Sequence, residues 1–177
     1  MTVKHPCAAQ VSNFDAALLD EVLSYARHRP VLNEVELSPA CYQKELLGAC
    51  AARGVDVVAY SPYGTCWLAK YFADEVPWAA ASLLDDATVN AVAAAATCTP
   101  AQALLAWALA KGAAVIPKSL RPERVRETAP DVLGAVALTD DQIAALDALR
   151  DPRRGVEASL AAHARIIASP GYAWDPT

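Results

Sequence analysis

Short apolar runs alternate with helix-period segments along most of this chain, and that alternation limits it to few folds. Val11-Ser12-Asn13 reads as the end of a strand. Asp15 then caps a helix on which Ala16, Leu19, Val22, Leu23 and Ala26 recur at helical spacing until Pro30 stops the pattern. Val31 to Leu37 reads as a second strand, closed by Ser38-Pro39. Gln43 to Arg53 is helical, with Leu46, Leu47, Cys50 and Ala51 on one face and Gly54 at its end. Val55 to Tyr60 is a nearly continuous apolar run, which predicts a strand buried on both faces. Asp85 to Thr97 and Pro100 to Lys111 read as two helices. The second is capped by Thr99, has Pro100 in its first turn and is ended by Gly112. Ala113 to Pro117 is a fourth strand, Pro122 to Glu127 starts a short helix, and Thr139 caps a helix over Asp140 to Arg150. Gly64 to Ser82 forms a long connection. Asp151 to Thr177 reads as irregular, with a helix near Glu157 to Ile167.

Strands alternating with helices imply a parallel sheet, joined by right-handed helical crossovers. Two architectures meet that requirement: an open doubly wound sheet, or part of a (β/α)8 barrel. Neither G-x-G-x-x-G nor G-x-x-x-x-G-K-[ST] follows any strand, which weakens the nucleotide-binding form of the open sheet. With 55% hydrophobic and 20% charged residues, the chain has a core to bury and is no disordered or collagen-like sequence; one domain is expected. The net charge of −5 argues against nucleic acid or an anionic membrane as partner, and leaves room for a small anionic ligand at a local basic cluster. No apolar run is long enough to span a membrane, and Met1 to Cys7 lacks the apolar segment of a signal peptide. Five cysteines without C-x-x-C spacing read as reduced thiols of a cytoplasmic protein, and three scattered histidines predict no zinc site.

In a parallel α/β sheet, ligands sit beyond the carboxyl ends of the strands. Here those ends read Ser12-Asn13, Asn33-Glu34-Val35-Glu36, Tyr60-Ser61-Pro62 and Lys118-Ser119. Lys118, Ser119 and Arg124 stand around the start of a helix whose free N–H groups favour an anion, so a phosphate is the natural occupant.

Six segments occur together in one order: Val11-Ser12-Asn13-Phe14, Asn33-Glu34-Val35-Glu36 with Pro39, Ala59 to Gly64, Thr99-Pro100-Ala101-Gln102 to Trp107, Ile116-Pro117-Lys118-Ser119 with Pro122 to Val125, and Leu138 to Asp141. Over about residues 11 to 150 the chain thereby resembles the aldo-keto reductase family. The resemblance implies a (β/α)8 barrel that binds NADP(H) and reduces aldehydes or ketones. It assigns Ser12, Asn13 and Glu34 to the nicotinamide carboxamide, Glu34 standing where the family has Gln. Tyr60 stacks on the nicotinamide ring. Ser61, Pro62 and the loop from Tyr63 and Gly64 to Trp67 fold over the pyrophosphate. Ile116 and Pro117 lead into Lys118, Ser119 and Arg124, the clamp on the adenosine 2′-phosphate. Glu127 matches an adenine contact, and Thr128 replaces the usual Asn beside it.

The family's tetrad of Tyr, Lys, Asp and His belongs to the barrel half that would precede Val11. No catalytic residue is therefore carried over, nor any metal ligand. Tyr25, Tyr42, Tyr63, Tyr71 and Tyr172 do not match the acid's motif, and His28 and His163 match nothing. Trp67, Trp78 and Trp174 read as packing residues, with the lining of a pocket as the alternative. The expected organisation is a non-family tail (1–10), a half barrel of about four strands (11–150) and an irregular tail (151–177). Such a half barrel would expose an apolar concave face and two sheet edges, inviting self-association or complementation by another chain. Its first strand, lacking an apolar run before Ser12, is expected to pair poorly. Two functions follow: the cofactor half of an NADPH-linked reductase, truncated and inactive alone, or a non-catalytic NADP(H)-binding module or remnant.

Overall fold

The computed structural model describes residues 8–64 and 82–151. The helix expected near 157–167 lies outside them, as do Trp67, Trp78, Trp174, Tyr71, Tyr172 and His163. The order is β1 (Ala9–Ser12), α1 (Ala16–Tyr25), β2 (Pro30–Glu36), α2 (Lys44–Ala51), β3 (Asp56–Tyr60), a 3-10 turn (Leu83–Asp85), α3 (Ala87–Ala95), α4 (Pro100–Ala110), β4 (Ala114–Val115), α5 (Pro122–Glu127), α6 (Pro130–Leu133) and α7 (Asp140–Asp147).

The four strands form one parallel sheet in chain order, β1-β2-β3-β4. A doubly wound sheet reverses direction at a switch point; this one does not, so the architecture is the partial barrel type. Two strand readings need correction. β1 does pair, over Ala9 to Ser12 with a register shift between Ala9 and Gln10, because its ladder is made by the backbone and needs no apolar run. β4 spans Ala114–Val115 only, since Pro117 has no N–H to extend the ladder.

Register sorts the side chains onto two faces. Val11, Asn33, Val35, Val57 and Ala59 face the helices and join a core with Leu19, Cys50, Leu104, Trp107 and Leu146. Gln10, Ser12, Leu32, Glu34, Asp56, Val58, Tyr60 and Ala114 share the opposite face and are exposed or half-buried, while Glu36, opposite Tyr60 on that face, is buried. β3 is therefore buried on one face among the described residues. The concave face is also not the apolar surface expected: Gln10, Ser12, Glu34, Asp56 and Tyr60 make it largely polar.

The helices follow local rules. Asp15 accepts the Leu18 N–H at 2.8 Å. α2 and α4 end at Gly54 (φ 66°) and Gly112 (φ 80°), whose following N–H groups return to the Cys50 and Ala108 carbonyls. α3 ends the same way with Thr97 at φ 53°. It starts two residues later than the sequence pattern suggests, because Asp86 caps it through the Thr88 and Val89 N–H groups and Asp85 closes the preceding 3-10 turn. α6, which the sequence reading did not include, is a single turn begun by Pro130. α4 is buried all round from Gln102 to Ala108. Trp107 Nε1 and Lys111 Nζ each donate to Asp147 at 2.7 Å, fastening α7 to α4. Tyr42 meets the Trp107 ring edge-on at 5.2 Å and lies under Lys111.

Asn33 is fully buried yet polar. Its Nδ2 donates to the Phe14 carbonyl at 2.8 Å and its Oδ1 accepts the Phe14 N–H at 3.3 Å. This pair closes the β1–α1 turn onto β2. Asn33→Leu leaves both Phe14 groups unmatched and is expected to lower unfolding free energy by roughly 2–4 kcal/mol. A urea midpoint unchanged from wild type would contradict that assignment.

Candidate functional site

Because all four strands run the same way, the polar residues after them meet on one rim. At the end of β1, Asn13 adopts a left-handed backbone (φ 58°), which Asn tolerates better than most residues. Its N–H and Ser12 Oγ both donate to the Glu34 carbonyl, at 3.0 and 2.9 Å. Turned this way, Asn13 Oδ1 accepts the Tyr60 hydroxyl at 3.0 Å. Ser12, Asn13, Glu34 and Tyr60 thus form one cluster drawn from three strands. Asn13 keeps its amide N–H groups for another acceptor. Among the described residues the Glu34 carboxylate has no hydrogen-bond partner.

After β3 the chain turns sharply at Ser61 (φ 49°), and Gly64 N–H closes the turn on the Ser61 carbonyl at 3.0 Å. A Cβ at Gly64 (φ 75°) would lie 2.7 Å from Leu83 Cγ, so only glycine lets the turn pack there. Leu83 N–H donates to the Tyr63 carbonyl at 3.0 Å and fixes that residue.

Tyr63 opens onto a cavity of about 290 Å³ between the β4–α5 segment and the start of α4. Lys118, Arg124 and Glu127 supply its charges; Ser119 and Thr128 supply hydroxyls; Leu84, Pro100 and Ala101 supply an apolar wall. Among the described residues no carboxylate lies within ion-pair distance of Lys118 or Arg124. Their positive charge is available to a ligand. The reading of the helix start changes in one respect. α5 has six residues, and the Arg121 N–H already donates to Ser119 Oγ at 3.1 Å. The positive charge at this place comes from the two cationic side chains more than from the helix end.

Glu127 is held from α4. Thr99 Oγ1 donates to its carboxylate, and Gln102 Nε2 donates to its carbonyl at 2.9 Å. The sequence reading saw Thr99 as a helix cap alone; only the packing of α4 against α5 reveals this second bond.

The expected site residues therefore fall into two groups and a frame. Ser12, Asn13, Glu34 and Tyr60 cluster at the strand ends. Tyr63, Lys118, Ser119, Arg124 and Glu127 line the cavity. Ser61, Pro62, Gly64, Ile116 and Pro117 line neither. Pro62 and Gly64 are buried in the turn, and Ile116, bonded through its N–H to the Ala59 carbonyl at 3.2 Å, carries the chain from β4 toward Lys118.

A parallel sheet wound in chain order, with Lys118 and Arg124 lining a cavity beyond its strand ends, defines a barrel-type α/β protein. Residues 7–151 match the model of the Aldo/keto reductase family. The chain is 39% identical over 123 residues to Aldo-keto reductase family 1 member A1-A of Danio rerio, covering 68% of this chain and 36% of that protein. It is 33% identical over 147 residues to an aldose reductase of Encephalitozoon cuniculi, covering 83% and 44%. An NAD(P)H-dependent D-xylose reductase of Pyricularia oryzae is 40% identical over 119 residues, covering 67% and 36%. The chain belongs to the aldo/keto reductase family, and it spans less than half the length of these relatives.

Burial pushes the Tyr63 phenol above its ordinary value; Glu127 adds to the rise and Arg124 opposes it. The folded state thus keeps this proton to higher pH than the unfolded chain does. The resulting stability is complete below the unfolded value of about 10 and is lost as pH rises through the folded one. In a titration of tyrosinate absorbance, one tyrosine should ionise above the ordinary tyrosine range. Glu127→Gln should bring it earlier; no movement would show that Glu127 does not act on Tyr63.

Proposed function

We propose that this chain carries the NADP(H)-binding half of a carbonyl reductase. The observation that supports the reading best is the cavity in which Lys118 and Arg124, both without ion-pair partners among the described residues, meet Ser119, Tyr63 and Glu127. Two cations and a hydroxyl suit a phosphate monoester, and the resemblance to the family supports reading it as the adenosine 2′-phosphate. That phosphate distinguishes NADPH from NADH, so the cofactor proposed is NADP(H).

The remaining donors fit the rest of such a ligand. Asn13 can donate its amide N–H to the nicotinamide carboxamide oxygen, while Ser12 Oγ and the Glu34 carboxylate can accept from its NH2. Tyr60, tied through its hydroxyl to Asn13, offers a ring of fixed orientation for stacking. The Ser61–Gly64 turn, anchored on Leu83, is placed to pass over the pyrophosphate. When bound, NADPH would supply a hydride to a carbonyl carbon. This chain's residues would bind and orient the cofactor.

Protonating the carbonyl oxygen calls for a general acid, and a tyrosine needs neighbouring charges to serve near neutral pH. The groups described above bind and orient a cofactor, and a second reading, a non-catalytic NADP(H)-binding module, needs no more than these.

The test is a titration of the purified protein with NADPH, followed by quenching of tryptophan fluorescence. Saturable binding is expected, weaker for NADH. Lys118→Met should weaken NADPH by about ten- to a hundredfold, the worth of one charged hydrogen bond. No NADPH oxidation is expected with an aldehyde. Absent saturation, or a Lys118→Met variant equal to wild type, would overturn the cofactor reading. Turnover with an aldehyde would overturn the non-catalytic one.

A further inference from the structure

Thr99 and Gln102 form a reciprocal capping box at the start of α4. Thr99 Oγ1 accepts the Gln102 N–H at 3.2 Å, and Gln102 Oε1 accepts the Thr99 N–H at 3.0 Å. A capping box completed this way leaves the threonine hydroxyl hydrogen and the glutamine NH2 unused. Both go to Glu127: the hydroxyl to its carboxylate, the NH2 to its carbonyl. Helix capping requires neither bond, since residue 127 lies 28 positions away on α5.

What these bonds prevent is as informative. Glu127 follows Arg124 by three residues on α5, the spacing at which helix side chains pair. No ion pair forms between them. The carboxylate is drawn toward α4, and Arg124 stays free to meet a ligand anion. A carboxylate that borders an anion-binding cavity repels its ligand unless the ligand brings an N–H donor to it. The apolar wall of Leu84, Pro100 and Ala101 suits a planar ring.

We infer that Thr99, assisted by Gln102, is a positioning residue that holds the Glu127 carboxylate toward the exocyclic amine of the nucleotide base and away from Arg124. It thereby sets a preference for an amino-bearing base. This rests on the NADP(H) reading and adds to it a residue that touches no cofactor.

The experiment compares NADPH with its hypoxanthine analogue, in which the amine is replaced by a carbonyl oxygen. Wild type should favour NADPH by tenfold or more. Thr99→Asp keeps an N-cap acceptor, has no donor and repels Glu127, so the ratio should fall toward one. Thr99→Ser keeps both functions and should retain the ratio. Thr99→Gly, a neutral residue tolerated at N-caps, gives the same readout should the added charge unfold the chain. A wild-type ratio of one, or an unchanged ratio in the Asp and Gly variants, would overturn the inference while leaving NADP(H) binding intact. Failure of wild type to bind NADPH would overturn the cofactor reading and the inference with it.

Discussion

Four parallel strands paired in chain order leave their connections a single course. Each must cross the sheet through a helix and return to the same end, because no tight turn joins parallel neighbours. The carboxyl ends consequently share one rim. Asn13, Glu34, Tyr60 and Lys118 are far apart in sequence, yet the winding delivers them to that rim. Asn13 and Tyr60 show how tight the delivery is: they bond at 3.0 Å across 47 residues.

The helix layer carries the same constraint into the cavity. α4 is enclosed by apolar contacts from Gln102 to Ala108, so its position is set by the core. Asp147, gripped by Trp107 and Lys111, fixes its far end. Its near end is Thr99, Pro100 and Ala101, which border the cavity or hold Glu127. The placement of a cavity carboxylate thus depends on a helix whose position is set by its buried length, Gln102 to Ala108.

Much of this was legible in the residues. Strand and helix positions followed from periodicity, caps and breakers, with Asp15, Gly54, Thr99, Gly112 and Thr139 all acting at the helix ends assigned to them. The parallel sheet followed from alternation, and strand order then separated the two architectures that alternation left open. Other features depended on register and packing, which local pattern does not encode. Asn33 read as one more polar residue at a strand end; only the pairing of β1 with β2 brings it against Phe14. β3 read as doubly buried because Val and Ala dominate it, but among the described residues the helices cover one side only. α6 went unread because one helical turn has no period to detect. At the site, the cationic cluster was legible from composition and order. The bond from Thr99 to Glu127 was not, since each residue had a sufficient local explanation.

We propose that the cavity between Lys118, Arg124 and Glu127 recognises a nucleotide through an extra phosphate on its ribose. Calorimetric titration with adenosine 2′,5′-bisphosphate, against adenosine 5′-phosphate, tests it without involving the nicotinamide end. Saturable binding of the bisphosphate, at least tenfold tighter than the monophosphate and weakening with salt, is the expected result. Equal affinity for the two, or no heat with either, would contradict it.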